Sequence, residues 1–85
     1  MIRKSEDKST EICERKFDGE GFIKVRSLLN NPEEMHKKGR TFAHTTILPG
    51  HSIGFHIHNG ESETYYIYSG EAEFNDNGTI KTVAA

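Results

Sequence analysis

Tryptophan is absent from the 85-residue chain, and cysteine occurs once, at Cys13. A single cysteine excludes an intrachain disulfide and any cysteine-based zinc centre, and it fits a reducing compartment. No run approaches the roughly 18 apolar residues that a membrane-spanning helix needs. The first residues, Met1 to Lys8, carry Arg3, Lys4, Glu6, Asp7 and Lys8 with no apolar stretch behind them, unlike a signal peptide. These absences predict a cytoplasmic protein with no membrane partner. Charge of one sign is missing too: 11 basic and 13 acidic side chains interleave to a net charge of −2. That leaves no basic stripe for nucleic acid. With 33% hydrophobic residues against 28% charged, the chain builds one small domain with a thin core, which oligomerisation or a bound metal would help to stabilise.

What is present is mostly β signal. Residues 1–11 are polar and aperiodic and are expected to form a flexible N-terminal segment, leaving 12–85 as the domain. Ile12 to Phe17 and Phe22 to Leu29 read as strands joined by the turn residues Asp18-Gly19-Glu20-Gly21. Asn30-Asn31-Pro32 followed by Glu33-Glu34 is a helix-start signal and Gly39 a stop, which predicts one short helical turn. From Thr41 onward, β-branched and aromatic residues dominate. Thr41 to Leu48, Ser52 to His58, Thr64 to Tyr68, Gly70 to Phe74 and Thr79 to Val83 are separated by turns at Pro49-Gly50, Asn59-Gly60, Ser69-Gly70 and Asp76-Asn77-Gly78. The class is all-β, a sandwich or barrel, with the last strand as an unpartnered edge.

In Ser52 to His58, Ile53, Phe55 and Ile57 alternate with Gly54, His56 and His58. Alternation places His56 and His58 on one face, about 6.6 Å apart along the strand, so both imidazoles can converge on one ion. After Asn59-Gly60 reverses the chain, Glu63 enters the neighbouring segment beside them. Two imidazoles and a carboxylate form a facial set with open positions, suited to a divalent metal ion such as iron, manganese, zinc or nickel.

Gly50, five residues, His56, one residue, His58, four residues, Glu63, six residues, Gly70: this frame resembles the first motif of the cupin superfamily without departure. The flanking Thr41 to Leu48 and Gly70 to Phe74 segments are similar to a small single-domain cupin of the mannose-6-phosphate-isomerase-like type. The resemblance implies a cupin-type β-barrel or jelly roll, and a metal held by His56, His58 and Glu63. It also implies a small polar ligand such as a sugar or carboxylate. The family's second motif, which supplies a fourth histidine ligand and closing strands, would follow beyond Ala85. The barrel is therefore expected to be incomplete in one chain, either truncated or completed by dimerisation, with a homodimer favoured.

Other side chains compete for roles. His51 and His44 are candidates for the fourth ligand, but alternation aims His51 away from His56, and His44 reads as a rim residue; His36 reads as solvated. Glu61 rivals Glu63 but lies inside the turn. Tyr65, Tyr66 and Tyr68 read as sheet-packing residues, and parity with Glu63 selects Tyr65 if one faces the metal. Cys13 reads as a small buried apolar residue. The fold is shared by enzymes, sugar sensors and storage proteins, and no general acid or base beyond the ligands can be named, so the pattern does not decide whether the chain is an enzyme. A metal-binding cupin stands beside a non-catalytic binding or assembly module with a vestigial metal site.

Overall fold

The structure, a computed structural model, describes all 85 residues. It is all-β: five strands in two antiparallel sheets, with three short 3-10 turns and no α-helix. The chain divides into two compact units, Met1–Gly54 and Phe55–Ala85. No helix is long and apolar enough to cross a membrane.

The first unit is a three-stranded sheet in the order β1 (Thr10–Glu14), β2 (Phe22–Leu29), β3 (Phe42–Ile47). Its centre is Ile23 on the middle strand, opposite Cys13 on one side and Ile47 on the other. Ile23, 3% exposed, is the chain's one buried hydrophobic side chain. A core this thin agrees with the low apolar content. The β2–β3 register shifts between Ser27 and Leu29, where a bulge lets Leu29 pair with Phe42.

The first strand starts at Thr10 and stops at Glu14, earlier at both ends than the expected Ile12 to Phe17. Arg15, Phe17 and Asp18 adopt left-handed φ values of 46°, 52° and 63°, which an extended strand cannot contain. The Arg15 amide donates to the Gly21 carbonyl at 2.8 Å and closes the hairpin there. Upstream, Ser5–Asp7 forms a 3-10 turn. The Arg26 guanidinium donates to the Ser5 carbonyl at 2.8 Å, and the Asn30 side chain bonds to Ser9 and Asp7. Arg3 pairs with Glu34.

The expected helical turn is present as Pro32–Met35. The Asn31 side chain accepts from the Glu34 amide at 3.0 Å, while Glu34 Oε1 accepts from the Asn30 amide at 2.6 Å, a reciprocal cap of the kind that satisfies first-turn donors. It ends before Gly39 because His36 and Lys37 turn left-handed at φ 54° and 58°.

In the second unit, β4 (Glu71–Asp76) and β5 (Thr79–Ala84) form a hairpin. Asn77 and Gly78, with φ of 51° and 94°, make a two-residue turn with both central residues left-handed, which matches the twist of the strands. The Asn75 side chain accepts from the Gly78 amide at 2.8 Å.

The expected strands over Ser52 to His58 and Thr64 to Tyr68 do not form: residues 51–58 and 61–68 lie outside both sheets. Alternation marks side chains suited to a two-faced strand, but a strand also needs a backbone partner. Ser52 to Gly54 bonds instead to the β1–β2 turn. The Ser52 amide donates to the Glu20 carbonyl and the Gly54 amide to the Lys16 carbonyl, both at 2.8 Å, and Ser52 Oγ accepts from the Glu20 amide at 2.9 Å.

Candidate functional site

The candidate ligands all lie in the second unit, ahead of β4. His56 and His58 are half-buried, whereas Phe55 and Ile57 between and before them are 65% and 77% exposed. The period of two expected from the sequence therefore survives without a β-ladder. The imidazoles meet edge to face, with centroids 4.8 Å apart and planes at 65°. Gly60, at φ 70°, reverses the chain where a side chain would be strained. The reversal returns Glu63 to the histidines: its Oε2 is 3.4 Å from His58 Nε2.

Two ligands held about 2.1 Å from one tetrahedral ion lie about 3.4 Å apart, so His58 and Glu63 have the donor chemistry and the spacing of two ligands on a divalent cation. His56 is next in the row. No group of three His, Cys, Asp or Glu side chains is drawn to a single point. The segments that carry them belong to neither sheet, so no β-ladder sets their register.

Burial, then hydrogen bonding with Glu63 and that carboxylate's charge, push the Tyr65 phenol above the ordinary tyrosine range. The Tyr65 ring packs edge-on against Phe74 of β4, centroids 5.1 Å apart. Beyond it is a shallow groove of about 290 Å³ floored by Ile67, Phe74 and Val83 and edged by Asp76 and Lys81. Parity in the sequence singled out Tyr65, but nothing in the pattern marked Phe74 as its support, because that contact comes from tertiary packing. Tyr66 and Tyr68, at 87% and 80% exposed, do not pack a sheet as expected. Glu61 is exposed in the loop.

The remaining histidines belong to the first unit up to Gly54. His51 Nδ1 accepts from the Phe22 amide at 3.0 Å, and its ring meets the Phe22 ring edge-on at 4.8 Å, a packing role. It follows a Leu48-Pro49-Gly50-His51 turn in which Gly50 sits at φ 81° and the His51 amide donates to the Leu48 carbonyl at 3.0 Å. His44 is exposed on β3 opposite Arg26. His36 is exposed at the end of the 3-10 turn. Cys13 is half-buried, and burial followed by the charge of Glu11 raises its thiol pKa.

The chain is thus an all-β fold with a His–Glu pair beside the loop that reverses at Gly60. No protein-family model matches the chain, and no solved structure does. It is similar to a curated protein, the oxalate-binding protein of Thermotoga maritima, with 41% identity over 78 residues. That match covers 92% of this chain but 64% of the relative, so the chain spans less than two thirds of the relative's length.

Proposed function

We propose that the chain is the metal-binding portion of a cupin-type protein that holds a divalent cation through His56, His58 and Glu63 and takes up a small dicarboxylate of the oxalate type. The observation that carries this reading is the 3.4 Å contact between His58 and Glu63, set in the cupin-like glycine and histidine frame. Its relative named for oxalate binding supports the choice of ligand. A bound divalent cation would offer open positions to two carboxylate oxygens. The chain's own residues would hold and orient that cation. The half-buried imidazoles would present nitrogen donors, and Glu63 would supply a negative charge that offsets part of the cation's.

Ile23 is the one buried hydrophobic side chain, while Phe55, Ile57, Tyr66, Tyr68 and Ile80 are exposed. That observation favours a homodimer in which a second copy covers apolar surface, in a cytoplasmic setting that keeps Cys13 reduced. It also supports a second reading, an assembly module whose metal site is vestigial.

Native mass spectrometry with elemental analysis, after loading with manganese and then zinc, separates the two. About one metal per chain is expected, lost in the His56→Ala/His58→Ala variant, with oxalate retained only by the loaded protein. A metal-free dimer that ignores oxalate would sink the metal reading and leave the assembly module.

A further inference from the structure

We infer that the outer edge of β5 is the contact surface for a second copy of this chain, paired β5 to β5 about a twofold axis with Thr82 opposite the partner's Thr82. The inference rests on the homodimer reading above and adds to it the surface and the register.

The backbone carries it. β5 pairs with β4 and with no other strand, and all six of its residues, Thr79–Ala84, are exposed. Phe74 is opposite Lys81 and Ala72 opposite Val83, and one step further the Ala85 amide donates to the Gly70 carbonyl at 3.1 Å. In an antiparallel pair, residues that bond to the neighbour alternate with residues whose amides and carbonyls point the other way. The odd-numbered residues of β5 therefore bond inward to β4, and Ile80, Thr82 and Ala84 turn their amides and carbonyls outward. A two-stranded hairpin alone is marginal in water, whereas three or more strands hold. Its open edge is a template for another strand.

Charge selects the edge and the register. β4 carries Glu71, Glu73 and Asp76, so pairing two β4 edges would set carboxylate against carboxylate. β5 carries one charge, Lys81, and Asp76 of its own hairpin lies 3.7 Å from that ammonium. A twofold axis normal to the sheet keeps each face on its own side, so odd residues meet odd and even meet even. The two registers of longest overlap centre on Lys81 and on Thr82. The first sets Lys81 against the partner's Lys81, and like charges directly opposite are destabilising. The second sets Ile80 against Ala84, Lys81 against Val83 and Thr82 against itself, with no cation facing another. It also brings the partner's Val83 to the Lys81 side of the groove floored by Ile67, Phe74 and Val83. The joined sheet has β4 at both outer edges, where its carboxylates oppose further addition, so assembly closes at two copies.

The test is native mass spectrometry and oxidative cross-linking of the 85-residue chain. The parent is expected to be a dimer. Thr82→Pro removes the outward amide at the centre of the contact and no bond to β4, so the dimer is expected to weaken by about 10- to 100-fold with its circular dichroism retained. Thr82→Lys faces Glu73 within its hairpin and a second lysine across the contact; it is expected to weaken the dimer too, and less at high salt. In a Cys13→Ser background, Thr82→Cys is expected to form a disulfide-linked dimer, since directly opposite residues lie about 5.5 Å apart at Cα. Ile80→Cys is expected not to, because its two copies sit at opposite ends of the contact, about 14 Å apart. The cross-link decides where Thr82→Pro fails to fold. A parent that stays monomeric overturns the homodimer reading itself. A dimer that both Thr82→Pro and Thr82→Lys leave intact, and that Thr82→Cys does not cross-link, overturns this inference and leaves that reading standing; cross-linking through Ile80→Cys instead overturns the register.

Discussion

Replacing Gly54 by alanine should be among the most damaging single changes in the first unit, although it adds only one methyl group. A Cβ built at Gly54 lies 1.6 Å from the Phe17 carbonyl oxygen and 2.5 Å from its carbon, where ordinary contact begins at 3.4 Å. The backbones must separate by about 1.8 Å to restore that distance. A movement of that size breaks the Gly54 amide bond to the Lys16 carbonyl, 2.8 Å long. Losing one hydrogen bond costs about 1 kcal/mol, and forced overpacking adds about 1–3 kcal/mol. The sum is roughly 2–4 kcal/mol, and each kcal/mol lowers the melting temperature of a domain this size by about 4–8 °C. Gly50→Ala is the control: φ is 81° there but nothing lies within 4 Å of the added atom, so the cost is the left-handed backbone alone, about 1–2 kcal/mol. Urea denaturation of the two variants beside the parent decides the matter. A Gly54→Ala chain no less stable than Gly50→Ala would refute the close crossing of Gly54 and Phe17.

Two further outcomes are expected. Ile23→Ala removes the one buried hydrophobic side chain and should cost about 2–4 kcal/mol, read as a lower urea midpoint; Ile12→Ala, at a 54% exposed position on the neighbouring strand, should cost far less. In metal-free protein, the Tyr65 phenol is raised by burial and by Glu63, so it should ionise above the usual value of about 10, visible as a late tyrosinate absorbance step that Tyr65→Phe deletes. Folding there tightens the hold on a proton, so the stability Tyr65 contributes is whole below about pH 10 and is lost as pH rises toward the folded value; alkaline melts of Tyr65→Phe should lack that part of the decline.

Local chemistry was legible where a few neighbouring residues decide the outcome. The Asn31 cap, the Pro32 start, the Asn77-Gly78 turn and the Pro49-Gly50 turn follow from side-chain donors and from glycine's tolerance of positive φ. Strand ends were less so. Arg15 and Phe17 are not residues that advertise left-handed backbone, and their conformation answers to Gly54 and Ser52 across the unit. Alternation put His56 and His58 on one face, and both are half-buried beside the exposed Phe55 and Ile57, yet it could not say whether a neighbour would pair with them. Pairing is a property of two segments, and the sequence pattern of one describes only its own faces. Contact between Glu63 and His58 was legible because a glycine turn of fixed length brings them back within reach. Support from Phe74 was not, because it depends on how the hairpin lies against residues 61–68.

The same distinction explains why the candidate ligands form a pair rather than a triad. In a sheet, two histidines and a carboxylate on adjacent strands are held at fixed spacing by ladder hydrogen bonds on both sides, and their convergence costs little once the sheet exists. Here, His56, His58 and Glu63 sit on segments whose only fixed points in their own unit are side-chain contacts and the turn at Gly60. Each contact joins one pair: Glu63 meets His58, and His58 packs on His56. Such a chain of pairs has the right order and the right chemistry without drawing three donors to one point. Any agent that draws three donors to one point must supply the ordering free energy the missing ladder does not. A divalent cation is suited to do so, since ligand bonds stabilise only the ordered state. On the proposed metal reading, metal binding and local order in residues 55–68 would be one equilibrium, and the affinity of the site would measure how much of that order is already present without the ion.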